Sequence, residues 1–269
     1  ARNFKLLNSL VTLPHGVLYV TGPTGSGKTT LLYSVLARLN DPQVNIVTVE
    51  DPVELRINGI TQIQTNSAID LNFARVLRAI LRQDPEVVLV GEIRDAETAS
   101  IASQAALTGH LVLTTLHTNN SFQAITRLLD MGLDAYLVAP SMIGVVAQRL
   151  VRRICTQCKV EYEPAPAVLD ALFFNRGDSR VHFYRGRGCE ACRNSGYAGR
   201  MAIHEIFVIT DAIRDLIVRR APITEIEREA VRNGFRSMRY DGVMKVLQGL
   251  TTIDEVDQMT RVVRQSSAD

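Results

Sequence analysis

The sequence predicts an α/β fold: a parallel sheet covered by helices, then a tetracysteine segment, then a run of charged helices. Three observations carry this. Apolar stretches of strand length alternate with amphipathic stretches of helical length up to about Val151, the rhythm of a parallel sheet. Val87, Val88, Leu89 and Val90 form an unbroken apolar run with no alternation, as expected where helices cover both faces. All four cysteines fall in two CxxC pairs. The expected divisions are 1–152 for the α/β core, 153–200 for the tetracysteine module and 201–269 for a helical subdomain.

Element by element, a strand over 17–21 leads into a helix over 28–39, stopped by Asn40-Asp41-Pro42. A strand over 45–50 follows, then a hairpin turn at Asn58-Gly59. The helix over 71–83 carries Phe73, Val76, Leu77, Ile80 and Leu81 at helical spacing and ends at Asp84-Pro85. After the strand over 87–90 come a helix over 95–107, a strand over 111–115, and helices over 121–131 and 137–151. Beyond Gly199, helices are predicted over 210–219, 223–233, 238–247 and 253–261, with Thr210-Asp211 and Thr251-Thr252 as start signals, and a disordered tail over 265–269. The opening ARNFKLLNSLVTLPHG supplies about one helix before the first strand, so the chain is expected to be a fragment of a longer protein.

Composition excludes little. The chain has 269 residues, 46% hydrophobic and 22% charged, and 30 Lys+Arg against 28 Asp+Glu give a formal +2. That balance gives no argument for a nucleic-acid or anionic-membrane partner. The longest nearly apolar run, 135–147, is broken by Pro140, Ser141 and Gly144 and falls short of the roughly 20 residues a spanning helix needs.

The chemistry gathers at the carboxyl ends of the predicted strands, where open parallel sheets bind ligands. Gly22, Pro23, Thr24, Gly25, Ser26, Gly27, Lys28, Thr29 and Thr30 form a G-x-x-x-x-G-K-T loop directly after an apolar strand. Its glycines let backbone N–H groups face a phosphate chain, Lys28 offers a point charge and Thr29 a hydroxyl for Mg²⁺. ATP and Mg²⁺ are the implied ligands. Glu50-Asp51-Pro52-Val53-Glu54, Gly91-Glu92-Ile93-Arg94-Asp95 and Leu116-His117-Thr118 end the neighbouring strands. A standard strand of the Gly91 type ends in an Asp that holds Mg²⁺; here a Gly precedes Glu92, so Glu92 is expected to orient or deprotonate the attacking water.

Cys155-x-x-Cys158 and Cys189-x-x-Cys192, thirty residues apart, read as four thiolate ligands of a structural Zn²⁺, with His182 nearby but off the pattern. A pair of disulfides fits poorly with an intracellular nucleotide enzyme, and a redox CxxC leaves the second pair unexplained.

GPTGSGKTT, TVEDPVE, LRQDPEVVLVGEIRDAETA and TGHLVLTTLHTN resemble, in order, the Walker A, Asp, Walker B and His boxes of the secretion-superfamily ATPases. Within these the chain is similar to the C-terminal part of the type II secretion and type IV pilus assembly ATPases. The resemblance implies a RecA-like P-loop core, with Glu50 near the catalytic water, Glu92 as the catalytic carboxylate, and His110 and His117 as the His-box pair, His117 nearer the γ-phosphate. Arg94 matches a family arginine to which no role is assigned. The resemblance further implies a homo-hexamer with ATP sites between subunits, on the cytoplasmic face of the bacterial inner membrane, turning a polytopic platform protein, with a further N-terminal domain supplying arginines. The tetracysteine module, followed by GYAGR, points to assembly rather than retraction. TTLLY stands where TTTLY is usual and ELRINGI lacks a customary aromatic.

A different class stays open: a DNA-handling P-loop ATPase or a zinc-ribbon nucleic-acid-binding protein. The arginines from Arg219 to Arg239 interleave with Glu225, Glu227 and Glu229, and aromatic stacking residues are sparse among them, which argues against it. Phosphoryl transfer depends on positioning and charge, so Glu92→Gln is expected to slow hydrolysis far more than it weakens nucleotide binding, as turnover and ADP titration would measure. Equal losses would remove Glu92 from the chemistry.

Overall fold

The computed structural model describes residues 2–165 and 182–260. The expected tail over 265–269 and the last residue of the helix predicted over 253–261 lie outside them. The chain forms two compact units, Ala1–Gln148 with Glu205–Arg236, and Arg149–His204 with Ser237–Asp269.

The described elements are α1 (Arg2–Val11), β1 (Gly16–Thr21), α2 (Lys28–Leu39), β2 (Ile46–Glu50), β3 (Thr61–Gln64), α3 (Phe73–Ile80), β4 (Val87–Val90), α4 (Ala96–Leu107), β5 (Leu111–Leu116), α5 (Gln123–Asp130), α6 (Ala135–Ser141), β6 (Met142–Ile154), β7 (Lys159–Tyr162), β8 (Phe183–Gly186), β9 (Tyr197–Val208), α7 (Asp211–Val218), α8 (Ile223–Arg232), α9 (Met238–Leu247) and α10 (Ile253–Thr260). The main sheet has seven strands in the order β3-β2-β4-β5-β1-β6-β9. Each pairing from β3 through β6 is parallel.

In the first unit every residue of β1, β2, β4 and β5 is buried. Alternate side chains enter separate cores: Val17, Tyr19, Val47, Val49, Val88 and Val90 pack with α3 to α8, whereas Leu18, Val20, Ile46 and Leu89 pack with α1 and α2. The expectation of strands covered on both faces is therefore met. Asp95 caps α4 by accepting from Thr98 N–H, and Asn72 caps α3 likewise.

Three expectations need correction. The helix predicted over 137–151 is a short helix, α6, followed by the strand β6; Ile143, Val145 and Val146 are β-branched, and the strand lies parallel to β1 with Leu18 opposite Gly144. A Cβ at Gly144 would meet Phe207 O at 3.0 Å, so only glycine suits that position. Asn58-Gly59 does form a turn, but not a hairpin, because β2 and β3 run parallel across it. The segment beyond Gly199 continues as strand to Val208. Of the helices that follow, α7 and α8 lie in the first unit and α9 and α10 in the second. Helical periodicity shows that a face is buried, not which partner buries it.

The second unit contains the antiparallel pair β7 and β8, the cysteines, α9 and α10. Phe183, Val246, Ile253 and Val256 form its apolar centre. Its main polar tie is Arg152 to Glu255, which is 3% exposed: the guanidinium reaches Oε1 at 2.6 and 2.9 Å, and the Arg152 backbone N–H reaches Oε2 at 2.8 Å. The same guanidinium lies 4.1 Å from the Tyr197 ring centroid, and the Tyr197 hydroxyl is 2.9 Å from Thr252 Oγ1. Burial alone would raise the Glu255 pKa, but the bonds and charge of Arg152 outweigh it and hold the carboxyl below its ordinary value. A depressed folded-state pKa gives stability that is present above the unfolded pKa and is lost as pH falls through the folded one. Glu255→Gln is expected to cost about 1–2 kcal/mol at neutral pH, the half-exposed guanidinium keeping the loss modest. The gap from the parent should close below about pH 4.3, the ordinary glutamate value, in thermal unfolding across pH; a gap independent of pH would show that the ion pair is not its source.

Candidate functional site

The turn between β1 and α2 holds the phosphate-loop residues. Gly22, Gly25 and Gly27 all have positive φ (148°, 78° and 84°), and a Cβ at Gly22 would lie 2.5 Å from Gln148 O and 2.6 Å from Ser26 Oγ. Pro23, Thr24 and Gly25 form the exposed tip, and Ser26 is buried behind it. Gln148 on β6 donates to Ser26 O at 2.7 Å and so anchors the back of the loop. The Ser26 hydroxyl is buried with no hydrogen-bond partner. Lys28 Nζ donates to Gly22 O at 2.8 Å and to Pro23 O at 3.3 Å, which holds its charge over the loop. Thr29, one residue into α2, donates to Glu54 Oε1 at 3.4 Å, and Thr30 is exposed on the next position. A loop of backbone N–H groups at a helix start, with one ammonium and one hydroxyl, fits a phosphate chain with its divalent cation.

Glu92 follows β4 with its side chain 16% exposed. Arg94 reaches its Oε1 at 2.5 Å, and His117 Nε2 lies 3.4 Å from its Oε2. The hydrogen bond that Arg94 donates to Glu92 raises the Arg94 pKa above its already high ordinary value. Threonines set the distance between these turns. Thr115 Oγ1 donates to Gly91 O at 2.8 Å, and Ile93 N–H donates to Thr115 O at 3.0 Å, which ties the end of β4 to β5. Thr21 Oγ1 accepts from Thr118 N–H at 2.9 Å, which ties the His117 turn to the end of β1. A Cβ at Gly91 would be 3.3 Å from Val49 O, a tight contact that would need the strand to give by a few tenths of an ångström.

Glu50, expected near the catalytic water, is the last residue of β2. It is 3% exposed and accepts from Thr48 Oγ1 at 2.5 Å, from Gln62 Nε2 at 3.1 Å, and from the Tyr33 hydroxyl. Burial raises the Tyr33 pKa, and the Glu50 carboxylate raises it further, so the hydroxyl stays a donor. Both Glu50 oxygens are thus engaged, and the exposed carboxylate facing Thr29 is Glu54. His110 precedes β5, at the edge opposite the phosphate loop, with Nδ1 2.9 Å from Ala105 O, so it stands apart from His117. Asp95 is spent on the α4 cap. Sequence reading missed Tyr33, Gln62, Gln148 and the tying threonines; a lone Gln inside the apolar run MIGVVAQRLV was the available signal for one of them.

In the second unit Cys155, Cys158, Cys189 and Cys192 bring their sulfurs within 4.8 Å of one another, and none is in a disulfide. Three of the edges are 3.9 Å (Cys155 to Cys189), 3.8 Å (Cys158 to Cys192) and 3.7 Å (Cys189 to Cys192). Desolvation opposes ionisation of Cys192, but N–H groups of Cys189 and Gly196 outweigh it and bring the thiol down to about 6. His182 stays off the cluster, with Nδ1 2.5 Å from Glu161.

The family model described as "Type II/IV secretion system protein" matches residues 1–258. Type II secretion system protein E of Pseudomonas aeruginosa is 53% identical over 260 residues, covering 97% of this chain and 51% of the relative. The type IV pilus assembly ATPase PilB of Thermus thermophilus is 50% identical over 254 residues, 94% of this chain and 29% of PilB. Among solved structures, the pilus retraction motor PilT with bound ADP superposes with a TM-score of 0.70 at 27% identity, covering 96% of this chain and 65% of that one. The chain spans about half the length, or less, of the curated relatives it matches.

Proposed function

This chain belongs to the type II/IV secretion system protein family, and from that premise we propose that it is the ATP-hydrolysing part of a motor for pseudopilus or pilus assembly. The observation that carries the reading is the meeting, at one sheet edge, of the Lys28 loop, the Thr29–Glu54 contact and the Glu92–His117 pair. Lys28 exchanges its loop carbonyls for phosphate oxygens. Mg²⁺, when bound, supplies positive charge against the phosphates, and the Thr29 hydroxyl is the group that would hold it. Glu92 orients the attacking water and draws its proton, while His117 and Arg94 fix the carboxylate. Glu50 supports this edge from behind rather than touching nucleotide.

The motor works as a homo-hexamer on the cytoplasmic face of the bacterial inner membrane, against a platform protein. Relatives named for type II secretion and pilus assembly, at 50–53% identity, support assembly over retraction, for which the PilT likeness is 27%. The same names weigh against the DNA-handling alternative. Hydrolysis of Mg·ATP by this chain, with and without a fused hexamer-forming tag, tests the reading. Turnover is expected to rise on hexamerisation and to vanish in Lys28→Ala; salt-sensitive DNA binding with no such rise would carry the alternative instead.

The four cysteines hold Zn²⁺. A tetrahedral ion with Zn–S of about 2.3 Å separates its sulfurs by roughly 3.8 Å, the spacing found here, and four thiolates leave no open position for catalysis. Metal analysis is expected to give one zinc per chain, and Cys158→Ser to lose it and destabilise the second unit while leaving ADP affinity unchanged. Retention of the metal in that variant would exclude this ligand set.

A further inference from the structure

Tyr33 and Thr29 stand four residues apart on one face of α2, and both act on Glu54. Thr29 contacts its side chain; the Tyr33 hydroxyl accepts its backbone N–H at 3.2 Å. The Tyr33 hydroxyl is itself aimed by the buried Glu50, to which it donates. Glu50 in turn is held by Thr48 on its own strand and by Gln62 on β3. Gln62 closes the circuit, since its amide also donates to Leu55 O at 3.0 Å and accepts from Ile57 N–H at 2.8 Å. The segment bearing Glu54 is therefore held by Tyr33 on the phosphate-loop helix and, on the sheet edge, by Gln62 and by Gln64, whose Oε1 accepts from Val53 N–H at 3.2 Å.

We propose that Tyr33 is a positioning residue that holds Glu54 opposite the Thr29 hydroxyl, so that the relay Gln62–Glu50–Tyr33–Glu54 sets how tightly the nucleotide site takes its divalent cation. The inference rests on the nucleotide-site reading above. Lys28 is held over the loop by Gly22 O and Pro23 O, contacts that do not involve the Tyr33 hydroxyl and survive its removal. What changes is the orientation of a carboxylate beside the cation's hydroxyl ligand. Partners that orient metal-facing groups typically alter metal affinity by about ten-fold or more when lost.

The test measures ADP affinity of the intact protein in EDTA and in saturating Mg²⁺, for the parent, Tyr33→Phe, Glu54→Gln and the double variant. Tyr33→Phe is expected to leave affinity in EDTA unchanged and to cut the Mg²⁺-dependent gain by about ten-fold. The double variant should lose no more than Glu54→Gln alone, because both substitutions remove one contact. A Tyr33→Phe protein with equal loss in EDTA, or with a normal Mg²⁺ gain, overturns the proposal. Should Tyr33→Phe fold poorly, Gln62→Leu on the edge strand breaks the same relay without touching α2; a normal Mg²⁺ gain there overturns it as well. Failure of the parent to bind ADP would instead sink the nucleotide reading, and this inference with it.

Discussion

Parallel register is the constraint on which the rest depends. Thr21 lies level with Leu116, Val90 with Thr114, and Val49 with Val90, so β1, β5, β4 and β2 release their chains along one edge within two residues of one another. That alignment brings the phosphate loop, the Glu92 turn and the His117 turn to a common edge. The register is fixed because both faces are buried. A slip by one residue would exchange the Val17–Tyr19 set with the Leu18–Val20 set and put each into a core shaped for the other.

Register alone stops at the last ladder hydrogen bond, and buried threonines carry it further. Thr21, Thr48 and Thr115 are each under 10% exposed, and each spends its hydroxyl on a group beyond or beside its own strand end. A β-branched residue suits a buried strand, and its hydroxyl supplies a bond that valine would lack. The strands thus end in residues that are half sheet and half loop anchor. This is why turns with no regular structure still present Glu92 and His117 to each other.

The parts of the site legible in the sequence are those whose chemistry is local. The loop from Gly22 to Thr30 was readable because its geometry is encoded in consecutive residues, and the cysteine cluster because each half of it is a local CxxC pair. Glu92 and His117 were placed by their strand ends. What escaped depended on long-range pairing. Tyr33 looks like any aromatic on an amphipathic helix, and its role exists only because Glu50 and Glu54 meet it across the sheet edge. Gln62 lies on β3, a short and partly exposed strand without an apolar pattern. β6 was read as helix because a mostly apolar run does not by itself separate helix from strand, and its β-branched residues were the discriminating signal.

Three carboxylates share this edge, and their surroundings separate their capacities. Glu50 has neutral donors on both oxygens and almost no exposure, so a cation approaching it would have to break bonds that burial makes costly to lose. Glu54 is exposed and meets one hydroxyl at a long 3.4 Å, which leaves most of its lone pairs available. Glu92 lies between these limits: an arginine holds one oxygen closely and a histidine approaches the other at 3.4 Å, a geometry that fixes direction without saturating the group. That intermediate state suits the role proposed for Glu92, which is to aim a water and then take its proton. The division of labour among Glu50, Glu54 and Glu92 follows from how many donors each already satisfies, and it makes the most buried of the three a support for the other two.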